Sequence, residues 1–184
     1  MSGLANVAIM AAHAAGKVIM QNFDRLDRLK IQLKENGDYF TNIDLASEQI
    51  IIECIHKYYP DHEILSEESG LINNLTSSQD EATMRWIIDP LDGTKNFING
   101  VPHFCVSILG VIHDPFRDET FIAKLNEGTL LNNKRIKITK KNTQANLQSC
   151  LIATGLPRKT NTDQENQTDY FLNLALNSSG IRKM

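Results

Sequence analysis

Trp86-Ile87-Ile88-Asp89-Pro90-Leu91-Asp92-Gly93-Thr94-Lys95-Asn96-Phe97 is the stretch on which the reading of this chain turns. The apolar run Met84 to Ile88 predicts a brief strand. Proline cannot donate to a ladder, so the strand is expected to stop at Asp89-Pro90. A turn follows, and Thr94 is expected to cap a short helix. Two carboxylates three residues apart in such a turn can converge on one point, and the Leu91 carbonyl, freed from the ladder, can point the same way. Gly93 removes a side chain where a phosphate would approach the backbone, and the helix N-terminus behind it favours an anion. A donor set of oxygens alone suits Mg²⁺ or Mn²⁺ and not Zn²⁺.

Asp-Pro and Asp-Gly are also common turn dipeptides, so these two carboxylates alone decide little. A second acidic pair adds weight: Glu67-Glu68 follows the short strand predicted at Glu63 to Ser66. Solvated acidic pairs are common too. Together, however, the two clusters bring four acidic groups to strand ends, where sites of α/β type are built. That concentration of negative charge is costly unless cations neutralise it.

Further out, Leu4, Val7, Ala8, Ala11, Ala15, Val18, Ile19 and Phe23 recur at helical spacing and predict an amphipathic helix. An alternating stretch from Leu29 to Leu33 leads to Asn36-Gly37, a hairpin tip. A second helix is expected from Thr41 or Asn42, with Thr41 and Asp44 resembling a capping box and Pro60 ending it. Leu71 to Glu81 reads as loop, Phe104 to Ile112 as one buried strand, and Asp114-Pro115 as the turn into Thr120 to Lys124. Ile136 to Thr139 and Cys150 to Ala153 are further strand candidates, and Asp163 to Leu176 a helix. The mixture is α+β in layers.

Of the 184 residues, 41% are apolar and 22% charged, with a net charge of −3, which gives no electrostatic reason for nucleic acid or an anionic membrane as partner. Cys54, Cys105 and Cys150 are widely spaced among apolar neighbours, so they read as small core residues in a reducing cytoplasm. No targeting segment is evident, and no apolar run was expected to reach membrane-spanning length. The chain is read as cytoplasmic.

Glu67-Glu68-Ser69 and Asp89-Pro90-Leu91-Asp92-Gly93-Thr94 resemble the two N-terminal signatures of the inositol monophosphatase family of magnesium-dependent, lithium-sensitive phosphatases. Phe40-Thr41-Asn42-Ile43-Asp44 is similar to that family's upstream Thr-x-x-Asp segment, and His103 to Ile108 to the strand after the second signature. His113 to Glu119 and Ala153-Thr154-Gly155-Leu156-Pro157 resemble the bacterial branch. The resemblance implies a layered αβαβα sugar-phosphatase fold, with an N-terminal α+β metal-binding domain at 1–142 and the beginning of a C-terminal α/β domain at 143–184. It implies Mg²⁺ held by Glu67, Asp89, the Leu91 carbonyl and Asp92. Thr94, oriented by Asp44, would act with Glu67 on the attacking water. Asp92, Gly93, Thr94 and Lys95 would meet the substrate. Glu68 would stand beside the ligands. The implied reaction is hydrolysis of a small-molecule phosphate monoester, inositol 1-phosphate foremost, by a metal-activated water. A homodimer is implied as well.

Lys95 stands where many members have a second threonine, and Asp-Gly-Thr-Lys is similar to the 3′(2′),5′-bisphosphate nucleotidases, the alternative substrate class. The family's C-terminal Trp-Asp signature has no counterpart, since Trp86 is the one tryptophan. We therefore expect a C-terminally truncated member with weak Mg²⁺ binding and poor turnover. Two non-enzymatic alternatives stay open, a regulatory or interaction protein and a degraded gene product. The bacterial branch is associated with RNA-polymerase-linked regulation, yet the absence of a basic stripe makes direct nucleic-acid binding the weaker form of that idea.

Overall fold

The computed structural model describes residues 3–34, 37–72, 84–138, 146–155 and 164–183. They fall into two compact units, Met1–Ile136 and Lys137–Met184. The boundary expected at 142/143 lies outside the described residues. So do Asn36 at the hairpin tip, the stretch after Ile72 up to Glu81, Thr139, Leu156-Pro157 and the helix start at Asp163.

In the first unit, the helical periodicity becomes α1 (Gly3–Phe23), which buries Val7, Ala8, Ala11, Ala12, Ala15 and Ile19. Small side chains on that face let α1 lie close to α2 (Asn42–Tyr58). α1 does reach membrane-spanning length and apolarity, contrary to the expectation from sequence. Its apolar face is accounted for by packing on α2 and on strands of the sheet below. The start of α2 is fixed as its sequence predicts: Thr41 Oγ1 accepts from Ile43 N–H and Asp44 N–H, while Asp44 returns a carboxylate oxygen to Thr41 N–H. This reciprocal cap is worth about 1 kcal/mol.

Beneath the helices runs an eight-stranded sheet in the order β10-β9-β8-β7-β6-β5-β3-β4. Its strands are β3 (Glu63–Ser66), β4 (Gly70–Ile72), β5 (Arg85–Asp92), β6 (Cys105–Ile108), β7 (Val111–Asp114), β8 (Glu119–Lys124), β9 (Gly128–Leu131) and β10 (Lys134–Ile136). A separate hairpin, β1 (Ile31–Leu33) with β2 (Tyr39–Thr41), precedes α2. Ile64, Trp86, Ile88, Val106, Ile108 and Ile122 belong to the buried core with the helices, whereas Leu65, Ile87 and Ile112, at alternate positions, are exposed. This alternation is what a sheet covered on one face requires. In the second unit, β11 (Leu151–Thr154) pairs in parallel with β12 (Gly180–Lys183), and α4 (Gln164–Asn177) connects them. The layered α+β class read from the sequence is the class observed.

Four local expectations are corrected. The single strand Phe104 to Ile112 is a hairpin, β6 and β7, because Leu109 takes a left-handed φ of 53° and the chain turns at Gly110. A Cβ on Gly110 would lie 2.3 Å from the Ala123 carbonyl oxygen, so only glycine fits there. Second, β5 does not stop at Asp89-Pro90. It runs to Asp92, with a shift in its pairing to β6: Asp89 faces Ser107 and Asp92 faces Cys105. Three steps along β5 thus match two along β6, and Pro90, which lacks an N–H, sits in that bulge. Third, Leu71 lies in β4 and not in a loop. Fourth, the three cysteines are free but only partly buried.

Candidate active site

The parallel pairing of β3 with β5 sets Ser66 beside Ile88, so the residues just beyond, Glu67 and Asp89, meet at the same end of the sheet. Glu67 N–H donates to the Ile88 carbonyl at 3.2 Å, which continues the ladder by one bond. The bulge after Asp89 then turns Leu91 and Asp92 to that end. Asp89 is pushed up to about 8, first by burial, then by its hydrogen bond with Glu67 and the charges of Glu67 and Asp92. Of the sequence-predicted ligands, Glu67 and Asp92 thus both act on Asp89, Glu67 through a hydrogen bond and Asp92 through its charge.

Helix α2 holds both acidic loops. Its residues Asp44, Ser47 and Glu48 are buried, and their i, i+3, i+4 spacing puts them on one helix face. Ser47 Oγ donates to the Pro90 carbonyl at 2.7 Å and so pins the bulge. Glu48 takes Ser69 N–H on one oxygen (3.0 Å) and Ser69 Oγ–H on the other (2.6 Å), which pins the Glu67-Glu68-Ser69 turn. Sequence reasoning missed Ser47 and Glu48. The available signal was two polar residues falling on the inward face of a predicted helix.

Asp44 divides its two oxygens. Oδ2 accepts from Thr41 N–H (2.9 Å) and Thr41 Oγ1 (2.6 Å), and Oδ1 accepts from Thr94 Oγ1 (2.9 Å). Cap and link to Thr94 thus coexist. Burial pushes the Asp44 carboxyl up, opposed by these hydrogen bonds. Thr94 Oγ1 also lies 3.0 Å from the Leu91 carbonyl oxygen. A hydroxyl has one proton, and the carboxylate is the stronger acceptor, so the Leu91 oxygen keeps a lone pair for another partner. Thr94 is not the cap of the following helix, α3 (Thr94–Ile98). That position belongs to Gly93, at φ 97°, where a Cβ would fall 2.9 Å from the His103 carbonyl.

Lys34, which the sequence reading passed over, bridges Glu68 (2.8 Å) and Glu67 (3.2 Å). Burial works against its charge, but hydrogen bonds and attraction from the two glutamates outweigh that and raise its pKa. Glu68 is raised by burial despite the ammonium. Lys95 points elsewhere: its Nζ pairs with Asp38 at 3.1 Å and stands over the Tyr39 ring. Cys105 Sγ faces Asp92 at 3.9 Å, and burial followed by that negative charge pushes the thiol up to about 11, so it stays unreactive near neutrality.

Asp89, hydrogen-bonded with Glu67 and acted on by the charge of Asp92, forms with them an oxygen-only donor set of the kind a hard divalent cation takes. An α+β fold with such an oxygen-only cluster at the ends of its strands is a candidate divalent-cation scaffold. The chain belongs to the inositol monophosphatase family, whose model matches residues 1–184. Nus factor SuhB of Pasteurella multocida (strain Pm70) is 41% identical over 193 aligned residues, covering 100% of this chain and 69% of that protein. Among solved structures, the extragenic suppressor protein suhB of Bartonella henselae superposes with a TM-score of 0.87 at 33% identity, over 99% of this chain and 70% of its own. The inositol monophosphatase of Anabaena (Nostoc) sp. PCC 7120 gives a TM-score of 0.74 at 32% identity, over 97% of this chain and 65% of its own. The chain spans 60–69% of the length of curated relatives that it matches.

Proposed function

We propose that this chain carries the cation-binding part of a Mg²⁺-dependent phosphate monoester hydrolase acting on a small polyol phosphate, inositol 1-phosphate foremost, in the cytoplasm. The observation that carries the reading is the placing of half-buried Asp89 beside Glu67 and Asp92: burial and these two carboxylates push it up to about 8, an electrostatic cost that a divalent cation would remove.

In this reading Glu67, Asp89, the Leu91 carbonyl and Asp92 hold Mg²⁺. Mg²⁺, when bound, supplies Lewis-acid polarisation of the phosphoryl oxygens and a lowered pKa for water. The chain's own residues do the rest. Asp44 Oδ1 takes the Thr94 hydroxyl proton in its hydrogen bond and leaves a Thr94 Oγ lone pair directed outward, where it can accept from an attacking water. Asp44 is in turn fixed by Thr41, so Thr94 cannot swing away. The first-turn N–H groups of α3 have no acceptor inside the helix and can receive phosphate oxygens. Gly93 is required by its left-handed backbone and by the His103 carbonyl that a Cβ would meet, so it fixes where α3 begins. Lys95, held at Asp38, serves the substrate from the rim or only after that ion pair opens.

Phosphate release from inositol 1-phosphate and from adenosine 3′,5′-bisphosphate, each with and without Mg²⁺, tests the proposal. We expect Mg²⁺-dependent release favouring the inositol ester, and a drop of about 100-fold in Asp92→Asn. Preference for the bisphosphate would move the chain to the nucleotidase alternative, and equal release without Mg²⁺ would remove the hydrolase reading.

A second reading has support in the relatives that bear the name Nus factor: a non-catalytic interaction role. Cellular function retained in Asp92→Asn would favour it.

A further inference from the structure

A second cluster of chemistry-bearing side chains lies outside the acidic site, where α1 meets the β7–β8 hairpin. His13 comes from α1, His113 from β7, and Asp118 from the turn between β7 and β8. The two imidazoles stack with centroids 4.1 Å apart and planes 14° from parallel. His13 Nε2 and His113 Nδ1 each lie 3.0 Å from Thr120 Oγ1, so two ring nitrogens from different elements converge on a single point. Ligand atoms of His13, His113 and Asp118 all fall within 4.8 Å of one another.

The turn that carries Asp118 is held in place. Asp118 adopts a left-handed φ of 54°, and Asn132 braces it by donating from Nδ2 to the Asp118 carbonyl (2.9 Å) and accepting Thr120 N–H on Oδ1 (2.8 Å). Among the described residues the Asp118 carboxylate itself makes no hydrogen bond or ion pair. A carboxylate placed beside two imidazoles, with neither ring N–H directed to it, leaves a donor set open. The Thr120 hydroxyl occupies the point of convergence in the present arrangement, bonded to both rings, so an ion there takes its place or draws its oxygen in as a further ligand.

We propose that His13, His113 and Asp118 form a structural site for a first-row transition cation of the Zn²⁺ type, distinct from the acidic site. Two nitrogens and a carboxylate suit Zn²⁺ and its neighbours, whereas Mg²⁺ prefers oxygen donors and keeps its waters. The ion would staple α1 to the β7–β8 hairpin. His113 is buried, while Asp118 is exposed and His13 partly so, which leaves an entry side. This site does not depend on the hydrolase reading.

Zn²⁺ titrated into the full chain carrying Asp89→Asn and Asp92→Asn, which disables the acidic site, tests it. We expect saturable binding and a higher Tm, with affinity lowered by more than about 100-fold in His13→Ala. Asp118→Asn guards against a variant that merely fails to fold, because asparagine tolerates the left-handed backbone; it should keep the circular dichroism of the parent and weaken Zn²⁺ binding. Absence of a Tm response in the parent, or an equal response in Asp118→Asn, would overturn the proposal.

Discussion

Without divalent cations the chain should lose stability as pH rises from about 4 to 8, and Mg²⁺ should reverse that trend. Asp89 is the cause. Its folded pKa of about 8 stands far above the ordinary 3.8, so across this window the folded chain keeps a proton that the unfolded chain has released. Stability is then fully present below the ordinary value, falls as pH climbs, and levels off above about 8. One proton sets a ceiling near 1.4 kcal/mol per pH unit. Asp89 is partly exposed and Lys34 stands on its neighbour Glu67, so screening brings the real slope well below that ceiling. Burial of Asp44 and Glu68 pushes their carboxyls in the same direction and adds to the slope. A bound cation takes the place of the proton, so its stabilisation grows toward pH 8. Thermal unfolding at pH 6 and pH 8, in chelator and in Mg²⁺, should show the larger Mg²⁺ gain at pH 8. Asp89→Asn should flatten the dependence on both.

Asp44→Ala is expected to damage stability and activity together. The carboxylate is wholly buried and accepts three hydrogen bonds, two from Thr41 and one from Thr94. Its removal ends the returning half of the cap of α2 and strands the Thr41 N–H. Bonds to a charged acceptor contribute ~1.5–3 kcal/mol each, and relief of the buried charge offsets part of their loss. A net cost of about 3 kcal/mol follows, read as a lower urea midpoint. Thr94 would also lose the acceptor that orients it, and phosphate release should fall about 100-fold in whatever fraction remains folded. Thr94→Ala separates the two effects. It should lose activity to a similar degree with a far smaller change in midpoint, since the Thr41 cap remains intact. Equal midpoints for Asp44→Ala and the parent would show that the buried carboxylate does not hold α2.

What could be read from the sequence follows physical locality. The start of α2 was legible because Thr41 and Asp44 lie three residues apart and close their cap within one turn. Glu67, Asp89 and Asp92 were legible because they follow the apolar runs Ile64-Leu65 and Trp86-Ile87-Ile88 in the sequence. The β6–β7 hairpin was hidden inside a continuous apolar run, since the close approach that requires Gly110 comes from Ala123, in another strand. Pro90 misled in the opposite direction: it reads as a strand end, yet the bulge lets β5 carry on and aim Leu91 and Asp92. Lys34, Ser47 and Glu48 act over 21 to 43 residues of separation, beyond any local pattern. β9 was overlooked as well, a short half-buried strand without strong alternation. The His13–His113 pair joins residues from α1 and β7, and neither segment carries a ligand motif of its own.

The most direct test of the central claim, a divalent-cation site built from Glu67, Asp89, Leu91 and Asp92, is calorimetric titration of Mg²⁺ into the chain at pH 7 in buffers of different ionisation heat. Saturable binding accompanied by proton release is expected, because Asp89 must give up its proton to ligate, with loss of both in Asp89→Asn. Binding that releases no proton and persists unchanged in Asp89→Asn would contradict it.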